Sequence, residues 1–252
     1  MGILERFRLD GKKALVTGAG RGIGQALAVA LAEAGADVAV NDLDGRTAEA
    51  TAAAIRKLGR AATAIQADVS EIGAGQRLVD AVLADFGRLD IAVNNVGVAI
   101  PIKDSTDVTP AEWEWLFNAN LRGTFFCAQA EARAMIPHGY GKIINLASIC
   151  GHVVWPEWQS LYSVSKAGVI HLTRCLGAEF IRHGIRVNAI SPGVTRTPEL
   201  FEQVVPVFLS RAPIDRIAGV ADIQGAVVYL ASEVSDFMVG QELVLDGGYT
   251  LM

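Results

Sequence analysis

Short apolar runs rich in Val, Ile and Ala alternate along this chain with longer stretches in which Ala and Leu recur at helical spacing. Runs at 14–17, 38–40, 61–67, 91–93, 142–146, 185–190 and 242–245 predict seven strands. The spacing predicts helices over 23–33, 46–58, 76–86, 110–135, 162–182 and 221–231, the fourth long enough to be one helix or two. Gly or Asp turns separate most of these segments.

Strand–helix alternation of this kind predicts an α/β fold, with a parallel seven-stranded sheet covered by helices on both faces. Right-handed crossovers make it a Rossmann-like, doubly wound sheet, whose ligands bind at the carboxyl ends of the strands. At 252 residues, without repeats or low-complexity linkers, the chain is expected to be one dinucleotide-binding and catalytic domain spanning 1–252. The least regular stretch is 192–213, with four prolines and interleaved Phe and Val, a candidate lid over a substrate.

Composition narrows the classes. The chain is 51% hydrophobic and 19% charged, enough to bury a sizeable core. A net charge of −5 without a Lys/Arg cluster argues against nucleic acid as a partner. Positions 1–10 carry Glu5, Arg6 and Arg8 and no apolar segment of signal-peptide type. Glu33 and Asp37 interrupt the Ala-rich stretch 26–40, so no membrane span is expected. Cys127, Cys150 and Cys175 form no CxxC, and an odd count fits a reducing, cytoplasmic setting. The four histidines lack metal-ligand spacing, so no metal is expected; His138 and His183 precede glycines and read as helix C-terminal caps.

Gly18, Arg21, Gly22, Ile23 and Gly24 fall between the first strand and first helix. The spacing is Gly-x-x-x-Gly-x-Gly, with Ile23 where G-x-G-x-x-G would need Gly. Such a loop lets a pyrophosphate approach the backbone and the helix N-terminus. No Gly-Lys-Ser/Thr follows, which excludes a P-loop. Asp42, at the end of the second strand, could accept from a ribose 2′-hydroxyl and repel a 2′-phosphate, which favours NAD over NADP; the other reading is a helix cap in the turn 41–44. Arg21 points the other way, since a guanidinium could pair with that phosphate, and Asp42 is given more weight. Asp68 and Val69 end the third strand, and Asn95 and Gly97 follow the fourth, as candidate walls for adenine and ribose.

Tyr162 and Lys166 share one face of a helix start, one turn apart. A phenol near pKa 10 needs a neighbouring cation to work as an acid/base near neutrality. Ser148 follows the fifth strand, where a hydroxyl can hold a substrate oxygen; nothing around it makes it a nucleophile. Asn120 lies in a helix beside Asn118, and two such poor helix formers suggest a kink or a function. His152, Trp155 and Trp158 follow Ser148 closely and are candidates to line a substrate pocket; the two Trp rings could equally make a subunit contact.

Taken in order, Thr17-Gly18-x-x-x-Gly22-Ile23-Gly24, Asp68, Asn94-Asn95-x-Gly97, Asn120, Ser148, Tyr162-x-x-x-Lys166, Asn188 and Pro192-Gly193 resemble the short-chain dehydrogenase/reductase family, in its subgroup of about this length. The resemblance runs from Leu9 to Asp246-Gly247-Gly248. It implies that Tyr162 is the general acid/base, that Lys166 lowers its pKa and holds the nicotinamide ribose, that Ser148 orients the substrate oxygen, and that Asn120 anchors a water in a proton relay. It implies further that Pro192, Gly193, Val194 and Thr195 face the nicotinamide, with Thr197 on the carboxamide or pyrophosphate, and that the protein is a homotetramer with long helices packed across subunits. Val96 stands where the family usually has Ala, which should be accommodated. The expected reaction moves a hydride between NAD(H) and a secondary alcohol or ketone, with a polyol, sugar or other small hydroxy compound as substrate. An NADPH-dependent 3-oxoacyl-thioester reductase and a non-catalytic dinucleotide-binding regulator are the alternatives.

Overall fold

The computed structural model describes residues 2–156 and 159–252; Trp158 lies outside them. Seven strands form one parallel sheet in the order β3-β2-β1-β4-β5-β6-β7. They are β1 (Lys13–Val16), β2 (Asp37–Asp42), β3 (Ala62–Gln66), β4 (Ile91–Asn94), β5 (Gly141–Leu146), β6 (Ile185–Pro192) and β7 (Glu242–Leu245). The helices are α1 (Gly22–Glu33), α2 (Gly45–Lys57), α3 (Ala74–Phe86), α4 (Pro110–Phe117), α5 (Thr124–Met135), α6 (Ser160–Phe180), α7 (Val204–Leu209) and α8 (Ala221–Ala231).

Every residue of β4 and β5 is buried, because helices cover both faces. One face packs α1, α2 and α8 against Val16, Val38 and Val93. The other packs α3, α5 and part of α6 against Leu15, Ala92 and Ile143. Each fully buried Leu or Ile contributes about 1.5–3 kcal/mol. The order reverses between β1 and β4, which opens a crevice at their carboxyl ends. The amino end of β5 is closed: buried Lys142 donates to Ser235 Oγ at 2.9 Å and pairs with Asp236 at 2.8 Å.

Helix boundaries follow local chemistry. Asp44, not Asp42, caps α2, accepting from Arg46 N at 2.9 Å. A capping box between Thr109 and Glu112, with Pro110 in the first turn, starts α4. The stretch 110–135 is two helices joined by a π-helical turn, Asn118–Gly123. Gly139 (φ +62°) and Gly184 (φ +74°) end the turns that carry His138 and His183, as expected of caps. The stretch 192–213 is less irregular than its prolines suggest, since it holds the last residue of β6 and all of α7. Among the described residues no helix is long and apolar enough to cross a membrane.

Candidate active site

One groove of about 640 Å³ runs along the carboxyl ends of the strands. At its β1 end the glycine loop is shaped by backbone contact. Gly18 and Gly22 have φ of +60° and +58°. A Cβ on Gly24 would collide with the Gly18 carbonyl, and one on Gly18 would come within 3.0 Å of Val96. Val96 therefore fits because residue 18 has no side chain. Asn95 fixes the loop: its backbone N–H donates to Thr17 Oγ1 at 3.1 Å, and its Nδ2 donates to the Thr17 and Gly18 carbonyls at 3.1 and 2.9 Å. The backbone at the start of α1 faces the groove and could hold a dinucleotide pyrophosphate, and Thr197 lies against Gly22.

Asp42 lines the groove and binds the loop, its Oδ2 accepting from Gly20 N at 2.8 Å and its Oδ1 from Asp44 N at 3.1 Å. Each carboxylate oxygen keeps a second lone pair for a ribose hydroxyl. Arg21 is paired with Glu199, which ties the glycine loop to the segment after β6. Ile23, Asp68, Val69 and Gly97 line the same groove, as do Pro192, Gly193, Val194 and Thr195. Asp68 also accepts from Ser70 N at 2.8 Å.

The chemical end forms where β5 meets α6. Ser148 begins the turn after β5, and its Oγ accepts from Cys150 N at 3.2 Å. Ser148 and Tyr162 line the groove together, and burial pushes the Tyr162 phenol pKa up while the Ser148 hydroxyl lowers it by less. Lys166 is buried and donates from Nζ to the Leu146 carbonyl at 2.8 Å. Burial pulls this ammonium down to about 8, so it still carries much of its charge at neutral pH. A Cβ on Gly97 would sit 3.0 Å from Lys166 Nζ, so glycine there makes room for the ammonium.

Asn120 is wholly buried in the π-helical turn. Its Oδ1 accepts from Val98 N at 2.7 Å; its Nδ2 donates to the Val98 carbonyl at 2.9 Å and to Ser165 Oγ at 3.0 Å. Ser165 in turn donates to the Tyr162 carbonyl at 2.8 Å. The side chain is thus spent on holding the segment after β4 to α6.

Trp155 lines the groove; His152 does not. His152 turns to β7 and bonds Glu242 at 2.8 Å, a partner ninety residues away. Cys150, Gln159, Leu200, Phe201 and Val204 also line the groove and were not singled out as site residues from sequence. Only the Phe and Val interleaved in 192–213 gave a signal, and it covers Phe201 and Val204. Among the described residues no cluster of His, Cys, Asp or Glu could hold a metal.

Residues 18–250 match the family model described as Enoyl-(Acyl carrier protein) reductase. The chain is 39% identical to a galactitol 2-dehydrogenase from Rhizobium johnstonii over 99% of both chains. The chain belongs to the short-chain dehydrogenase/reductase family. A short-chain type dehydrogenase/reductase from Mycobacterium marinum has the same fold, with a TM-score of 0.96 and 38% identity over all of both chains. A gluconate 5-dehydrogenase from Burkholderia cenocepacia, solved with NADP and tartrate, aligns at a TM-score of 0.93 and 39% identity over all of both chains. The protein is an oxidoreductase of this family that acts on the CH–OH group of secondary alcohols and uses NAD(P).

Proposed function

We propose that this chain is an NAD-preferring secondary-alcohol dehydrogenase in which the Tyr162 hydroxyl exchanges a proton with the substrate oxygen. One domain would carry both cofactor and catalysis. The observation behind the reading is the meeting of Tyr162, Ser148 and buried Lys166 in the groove that also contains the glycine loop. The substrate class is that of small hydroxy compounds, which includes the polyol acted on by the Rhizobium relative.

In the oxidative direction the Ser148 hydroxyl holds the carbinol oxygen against Tyr162 Oη. The Tyr162 phenolate takes the hydroxyl proton, and in reduction the neutral phenol returns it. A bound oxidised nicotinamide would supply the acceptor for the carbinol hydrogen with its electron pair, and a positive charge that favours the phenolate. Lys166 adds a positive charge beside the phenol and would hold the nicotinamide ribose. Asn120 belongs to the proton relay as a positioning residue, because its amide is engaged by Val98 and Ser165. Pro192 to Thr195 would face the nicotinamide.

Preference for NAD rests on Asp42 at the end of β2 and on the Arg21–Glu199 pair, which occupies the guanidinium that a 2′-phosphate would need. Comparing kcat/KM for NAD and NADP tests it: at least a tenfold preference for NAD is expected, and a preference for NADP would overturn it. The three cysteines stand free, which supports a reducing cytoplasmic setting. Exposed Phe126 on α5 and Val164 on α6 support a homotetramer with these helices between subunits, a mass that light scattering would read directly.

A further inference from the structure

The far end of the groove is walled by a small core of its own. Ile149, Trp155, Val204, Phe208 and Tyr249 are buried together there, apart from the two cores of the sheet. The Trp155 and Tyr249 rings stack at 5.4 Å and 18°, and Tyr249 stacks on Phe208 at 5.3 Å and 5°. Trp155 and Val204 reach the groove from this core, joined by Leu200 and Phe201. This wall is aromatic and aliphatic, and its stacking makes it stiff.

Charge is missing from it. Among the described residues lining the groove the only cations are Arg21 and Lys166. Arg21 is paired with Glu199 at the glycine loop, and Lys166 is bound to the Leu146 carbonyl beneath Tyr162. A substrate carboxylate would therefore lose its water without gaining a countercharge. Among the described residues polar side chains are also few at this end. Beyond Ser148 and Tyr162 the described residues of this end offer Gln159, and the indole N–H of Trp155 is buried without a partner. An open-chain polyol would leave most of its hydroxyls unpaired. A ring or compact apolar body would bury its surface against Trp155 at no such cost.

We propose that the site takes an uncharged secondary alcohol, or its ketone, whose carbinol carbon is borne on a ring or compact apolar body, in preference to an open-chain polyol or sugar acid. Trp155 is the residue that sets this specificity. The proposal rests on the reading of Tyr162 and its neighbours as a secondary-alcohol dehydrogenase.

The test is kcat/KM with NAD and NADP for cyclohexanol, 1-phenylethanol, 2-propanol, galactitol and gluconate. Wild type should favour the two ring alcohols at least tenfold over galactitol and gluconate. Trp155→Ala should lower kcat/KM for the ring alcohols about tenfold more than for 2-propanol. Should that variant fold poorly, Leu200→Arg supplies the missing cation and should raise gluconate relative to cyclohexanol at least tenfold. A wild-type preference for galactitol or gluconate would overturn the proposal, as would equal losses on ring alcohols and 2-propanol in Trp155→Ala. Turnover of none of these alcohols with either dinucleotide would overturn the dehydrogenase reading itself, and the proposal with it.

Discussion

Lys166 Nζ lies 5.7 Å from the centroid of the Tyr162 ring, and the Leu146 carbonyl at the end of β5 holds it there at 2.8 Å. One helical turn and one strand end therefore fix the cation against the phenol. The geometry leaves little slack, because Gly97 supplies the space for the ammonium. Gly97→Ala puts a methyl 3.0 Å from Nζ and should move it off the Leu146 carbonyl. We expect kcat to fall about tenfold, equivalent to roughly 1.4 kcal/mol, with the melting temperature little changed. Steady-state kinetics beside a thermal melt separates that outcome from simple misfolding.

Asp42 should decide the dinucleotide. Asp42→Ala removes the acceptor for a ribose hydroxyl and the charge that repels a 2′-phosphate. The ratio of kcat/KM for NAD over NADP should fall at least tenfold. Some loss with both cofactors should accompany it, since Gly20 N and Asp44 N also lose their acceptor.

Asn120 holds three groups at once. Asn120→Ala leaves the half-buried Val98 N–H and carbonyl without their partner, which costs stability wherever water cannot replace it. The variant should melt lower and should lose at least tenfold in kcat, because Ser165 and the first turn of α6 lose their anchor. Loss of stability with unchanged kcat would confine the residue to the fold.

Beneath the site runs a buried polar belt. Asn94 Nδ2 donates to Glu131 Oε2 at 3.0 Å and to Asn145 Oδ1 at 3.1 Å, and Asn145 Nδ2 donates to Thr173 Oγ1 at 3.0 Å. Burial pushes the Glu131 carboxyl up to about 8, against the Asn94 hydrogen bond that lowers it. The folded state thus keeps a proton that the unfolded state releases above about 4.5. Its contribution to stability is fully present below about 4.5 and is lost as pH rises to about 8, at roughly 1.4 kcal/mol per pH unit. Glu131→Gln removes this titration. Thermal melts at pH 5 and 8.5 should show a smaller loss in the variant than in wild type.

Much of this was legible in the residues because the relevant physics is local. Strand periodicity and the turns between gave the parallel sheet, and the glycine loop and the Tyr162–Lys166 spacing fall within single elements. What escaped needed partners distant in sequence. His152 follows Ser148 so closely that it reads as a pocket residue, yet Glu242 on β7 takes it. Glu131 sits in an Ala-rich helix where one carboxylate would ordinarily face water, and only the assembled sheet brings Asn94 against it. Asn118 and Asn120 hinted at a break in the helix, but propensity alone does not distinguish a kink from a π-helical turn. The aromatic stack joins Trp155, Phe208 and Tyr249 from three separate segments, so no local pattern could announce it.

The central claim is that Tyr162 Oη carries the proton. Tyr162→Phe keeps the ring and removes only the hydroxyl. Measured as kcat on the best secondary alcohol of the panel, with dinucleotide binding followed separately by fluorescence titration, the variant should lose at least a hundredfold in kcat and bind dinucleotide within a few-fold of wild type. A kcat that stays within a few-fold of wild type would contradict the account.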